Sequence, residues 1–155
     1  MKESFGISKK KNNYSGGFIS KKSIIFLSVM LVIGFFIRLN YFPFDIPFDQ
    51  DVLDFFEYAI KTKNLGTIPN DWFLANNGWS LFLTTFFTFI PLEGFLDYVN
   101  LQRMISIVIS VLTIIPVFFF CKKFFDEKIA LIGGALFIFN PYIIDSSILA
   151  GTHTI

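Results

Sequence analysis

Side chains that do aqueous chemistry are scarce in this chain. Cys121 is its single cysteine and His153 its single histidine. One cysteine closes no internal disulfide, and one histidine without a thiol or a second imidazole is a poor zinc set. Charged residues make up only 16%, and the net charge is +1. That balance excludes a strongly basic nucleic-acid binder. There is no glycine-rich phosphate cradle and no Ser-His-Asp arrangement. What the chain has instead is apolar surface: 54% of residues, with 23 phenylalanines and a mean hydropathy of +0.61. A soluble domain of 155 residues would expose much of this as aggregating patches. The composition is that of a membrane protein.

Charge is ordered along the chain. Residues 1–22 carry six lysines against Glu3 and read as a basic arm. Residues 43–101 carry eight acids against Lys61 and Lys63. The stretch CKKFFDEK at 121–128 is basic again, with three lysines. Residues 23–41 are apolar except Arg38 and Asn40. At ~1.5 Å per residue such a helix crosses a bilayer core of about 30 Å. The arm predicts a cytoplasmic N-terminus. Arg38 then falls near the outer surface, where a long stem snorkels to water. GFFIRLN offers no small-residue pair for signal cleavage, which favours an uncleaved anchor. Two further spans are predicted at 102–120 and 129–149. Their prolines, Pro116 and Pro141, require neighbouring helices to satisfy the freed backbone groups.

The segment WSLFLTTFFTFIP at 79–91 is short for a span. Were it to cross, the lysines of 121–128 would fall outside, against the positive-inside tendency. The expected architecture is therefore all-α, with three transmembrane helices and residues 42–101 as an acidic outer loop. That loop is expected to hold juxtamembrane helices at about 51–63 and 79–91. In the first of them, Val52, Phe55, Phe56, Ala59 and Ile60 fall at helical spacing, as an interfacial amphipathic helix requires. Residues 121–128 are a cytoplasmic turn, and 150–155 a truncated end.

The densest candidate for chemistry is FPFDIPFDQD at 42–51, with Asp45, Asp49 and Asp51. Asp49 and Asp51 form a D-x-D, and carboxylates so spaced on irregular backbone hold a divalent cation by oxygen ligation. One carboxylate alone acts as a general base once an apolar surround raises its pKa. A helix N-cap is the plainer reading of either aspartate. Arg103, at the start of the second span, is suited to a lipid phosphate, to a loop carboxylate or to snorkelling. Cys121, beside two lysines, reads as a small residue at a membrane boundary. Gly133-Gly134 reads as a helix-packing site.

The order of these pieces is more specific than any one of them. It runs from an outward helix ending in Arg38 to aspartates, then D-x-x-x-F-x-x-Y-A from Asp51 to Ala59. NNGWSLFLTTFF, NLQRMISIVISVLTIIPVFFFCKKFF and ALIGGALFIFNPYIIDSSIL follow. Over roughly residues 23–150 this resembles the N-terminal part of the GT-C superfamily of polytopic glycosyltransferases, especially the archaeal protein O-mannosyltransferase-like branch. The resemblance implies a polyprenyl-phosphate-linked sugar donor, an acceptor on the outer face of the plasma membrane, and a role in protein glycosylation. It implies Asp51 as the catalytic residue, with Asp49 sharing the role. It implies Arg103 and Tyr58 as substrate-binding residues. A divalent cation, if one is used, would fall to Asp49 and Asp51. Where relatives place an acid about a dozen positions after the proline matching Pro141, this chain has His153. Such enzymes use many more spans, so the resemblance implies a fragment that is inactive alone and completed by further helices. The alternative is a small non-enzymatic three-span protein. Pro116, Pro141 and Gly133-Gly134 would then mark its contacts with partner helices.

Overall fold

A computed structural model describes residues 19–42, 50–70, 78–90 and 92–149; the side chains of Gln50 and Asp51 lie outside this description. Seven helices make up the described residues: α1 Lys21–Asn40, α2 Gln50–Leu65, α3 Gly78–Phe89, α4 Phe95–Leu112, α5 Ile114–Phe124, α6 Glu127–Ile138 and α7 Pro141–Leu149. No strand occurs among the described residues. The protein is an all-α membrane protein. Lys21–Asn40 and the run Phe95–Phe124 are long and apolar enough to cross a bilayer. The pair α6–α7, bent by 48°, is long and apolar enough only when its two helices are taken together.

α1 is inside-out relative to a soluble helix. Its buried residues are Ser23, Gly34 and Arg38, while Ile25, Phe26, Val32 and Phe36 are all more than half exposed. In lipid the outer face gains nothing by hiding. Small residues therefore line the contacts, because they let backbones approach. Ser20 caps the helix, its Oγ accepting from Ser23 N at 3.2 Å. Ser20 N donates to Glu127 Oε1 at 2.8 Å. The starts of α1 and α6 thus share one end of the bundle.

The second span is longer than the 102–120 expected, with a break at Thr113. Pro116 causes the break, because it cannot donate to the carbonyl of Leu112. α5 and α6 form a tight hairpin. A β-carbon on Gly133 would lie 2.9 Å from Cys121 Sγ, and one on Gly134 would lie 3.2 Å from Ile114 Cγ1. Those glycines are occupied by this chain's own α5. The third span departs from the continuous 129–149 helix. Pro141 has no N–H, and Asn140 Oδ1 accepts from Tyr142 N at 2.9 Å, capping a fresh helix. Pro at the first helical position behind an Asn cap is a start signal.

Two apolar clusters result. Phe42, Ile107, Val111, Ile114, Ile138 and Ile148 join the spans. Phe56, Ala59, Leu83, Phe87, Tyr98, Val99 and Ile105 join α2 and α3 to the start of α4. α3 packs on α2 through hydroxyls: Ser80 Oγ donates to Phe55 O at 2.9 Å and Thr84 Oγ1 to Ala59 O at 3.3 Å. With twelve residues, α3 reaches only about 18 Å.

Candidate functional site

The polar residues at one end of the bundle are set by the α2–α3–α4 cluster. Phe56 and Ala59 point from α2 into it, with Phe56 edge-on to Phe87 and to Phe95 at centroid distances of 5.7 and 5.2 Å. This packing fixes the rotation of α2, and Tyr58 is completely buried. Position 51 lies in the first turn of α2, two turns before Tyr58 and on the same face of the helix. Asp49 and the side chain of Asp51 lie outside the described residues, as do Asp45 and His153. Among the described residues no three or more of His, Cys, Asp and Glu gather as a metal site requires.

Arg103 is 1% exposed, one turn beyond Val99 on the buried face of α4. Its neighbour Gln102 is fully buried, and neither Oε1 nor Nε2 of its amide makes a hydrogen bond. An unsatisfied buried amide costs roughly 1–3 kcal/mol for each group left without a partner. A buried guanidinium beside a buried, unsatisfied amide is an expensive arrangement in an apolar bundle. It marks this level of α4 as a place for polar chemistry. The reading of residue types above passed over Gln102; a polar pair interrupting an apolar run was the signal for it.

Arg38 corrects the snorkelling expectation. It is completely buried and joins four helices. Its Nε donates to Ser147 Oγ at 3.0 Å. Its Nη1 donates to Gly34 O at 3.0 Å and to Ile138 O at 3.2 Å, and its Nη2 to Ser110 Oγ at 3.4 Å. The reason lies in the break between α6 and α7. The amide that would have bonded Ile138 O belongs to Tyr142, which turns to Asn140 instead. The carbonyl so released is the negative end of α6, and a cation answers it. Turning inward satisfies both groups, whereas snorkelling would leave Ile138 O orphaned in hydrocarbon. Ser110 and Ser147, isolated hydroxyls in apolar runs, complete the set.

Arg38 and Arg103 therefore serve different surroundings. Arg38 is absorbed by the packing of the helices, and Arg103 lies on the buried face of α4 one turn beyond Val99. No family description, no curated protein and no solved structure matches this chain.

Proposed function

We propose that the chain supplies the N-terminal part of an integral-membrane glycosyltransferase that moves a sugar from a polyprenyl-phosphate-linked donor to an acceptor on the outer face. The basic arm lies in the cytoplasm, so α2, α3 and the start of α4 face outward. Burial of Arg103 and Gln102 at the outer end of an apolar bundle carries this reading. Guanidinium answers phosphate, the neighbouring amide answers sugar hydroxyls, and the apolar walls suit a prenyl tail. Asp51 takes the acceptor's proton as the acceptor atom bonds to the anomeric carbon. The bond from that carbon to the phosphate oxygen breaks, and the phosphate leaves with its charge against Arg103. Asp49 assists Asp51, and Tyr58 orders the α2 face below them.

The test is binding of a polyprenyl phosphate to the detergent-purified chain, followed by native mass spectrometry. Arg103→Ala is expected to weaken binding about tenfold, or about 1.4 kcal/mol. Arg103→Lys, which keeps the charge, should weaken it less. Asp51→Asn should leave it unchanged, since that carboxylate acts on the acceptor. Equal affinity of wild type and Arg103→Ala removes the reading.

A further inference from the structure

A cavity of about 580 Å³ lies between the second half of α2 and the start of α4, apart from Arg103. Part of its wall is apolar, with Phe56, Ile60, Leu92 and Phe95. At its wall Lys63 Nζ contacts Tyr98 OH and stands 4.3 Å from the centre of the Tyr98 ring. The same phenolic oxygen accepts from Leu92 N at 3.2 Å. With two donors already on that oxygen, its own hydrogen is turned outward as a donor. The ammonium keeps further N–H groups beyond the one given to Tyr98. Two donors, one cationic, are therefore held side by side on a buried ring.

The level of this cavity in the bilayer follows from helix length. A hydrocarbon core of about 30 Å uses about 20 residues of the α4–α5 run. With the core ending at Phe120, ahead of Lys122 and Lys123, Tyr98 and Phe95 stand roughly 3 and 7 Å beyond it, in the headgroup layer. The surface around the cavity agrees: Leu65 is 56% and Phe95 54% exposed, and Leu96 is also exposed. Aromatic and aliphatic side chains bordering a polar recess are suited to the boundary of chains and headgroups.

Charge in the recess is balanced. Lys61 and Lys63 line it together with Glu57 and Glu93, and the two glutamates are exposed. An anionic headgroup would meet as many repelling groups as attracting ones. A headgroup carrying both signs meets a partner for each.

We propose that this recess seats the phosphoethanolamine headgroup of a bilayer phospholipid. The phosphate takes the donors of Lys63 and Tyr98, the amine faces Glu57 and Glu93, and the acyl chains run over Leu65 and Phe95. The site is separate from the proposed donor site and does not rest on it.

The experiment reconstitutes the full chain in nanodiscs holding equal amounts of phosphatidylethanolamine and phosphatidylglycerol, and reads retained lipid by native mass spectrometry. Wild type is expected to retain phosphatidylethanolamine, with phosphatidylglycerol at least several-fold lower. Tyr98→Phe keeps the ring packing and loses the hydroxyl. It and Lys63→Gln should each cut retention several-fold, to about a tenth when combined, with unchanged helical circular dichroism. Free phosphoethanolamine, lacking chains, should not compete. Retention unaffected by both substitutions overturns the site. Preference for phosphatidylglycerol overturns the headgroup assignment. Displacement by an added polyprenyl phosphate that Arg103→Ala leaves intact makes the recess the donor's and overturns the phospholipid assignment.

Discussion

At Arg38 a buried cation is held, among the described residues, without a carboxylate. Its partners are two backbone carbonyls and two serine hydroxyls. A planar fork with five donors reaches all four; a lysine ammonium is a point with three. Arg38→Lys is therefore expected to destabilise the protein by about 2 kcal/mol, and Arg38→Ala by about 4 kcal/mol, since hydrogen bonds to a charged group contribute about 1.5–3 kcal/mol each. Denaturant unfolding in detergent micelles measures both. Arg38→Lys as stable as wild type would show that charge alone, and not the fork, answers the end of α6. The residue type was legible in the sequence and its surroundings were not. Its partner Ile138 lies 100 positions away and becomes an acceptor only because the helix breaks between α6 and α7.

Among the elements, α1 meets α6 where Gly34 faces Ile138. A β-carbon there would lie 2.6 Å from Ile138 Cδ1 and 2.7 Å from Cγ1, and Ile138 is fully buried. With no room for the isoleucine to swing away, Gly34→Ala must push the helices apart. A cost of about 1–3 kcal/mol is expected for this overpacking. Ile138→Val removes the closest carbon, so the double variant should recover part of the loss. A double-mutant cycle on unfolding free energies reads that coupling, and strict additivity would count against the contact. The helix start at Pro141 was available in the sequence as an Asn-Pro pair inside an apolar run. The length of the run suggested continuity and hid it. For α2 the helical spacing of its apolar residues sufficed, because a half-buried helix announces its face. How closely α3 would approach α2 was not legible, because the Ser80 and Thr84 hydroxyls that set it bond backbone carbonyls of α2.

For the whole molecule, Ser20 and Glu127 share one end, and α2–α3 gather around Tyr98 at the other. Tyr98 and Lys122 are 24 positions apart on one helical run, roughly 36 Å. In a Cys121→Ser background, a membrane-impermeant thiol reagent should reach Glu57→Cys only from outside. It should reach Asp126→Cys only after the membrane is opened. Reaction of both in sealed vesicles of one orientation would overturn the arrangement of ends and the proposed outer site together.

Residue types and their order alone determined that this chain belongs in a bilayer, that it carries apolar runs of spanning length, and that its charges alternate. Those properties follow from hydrophobic length and from the cost of charge in lipid, which are sums along the chain. Tertiary structure decided which polar groups turn inward. Burial of Arg38, Gln102 and Arg103 depends on neighbours from helices distant in sequence. A buried polar group is fixed by who completes its hydrogen bonds or leaves them open, and no local pattern carries that information.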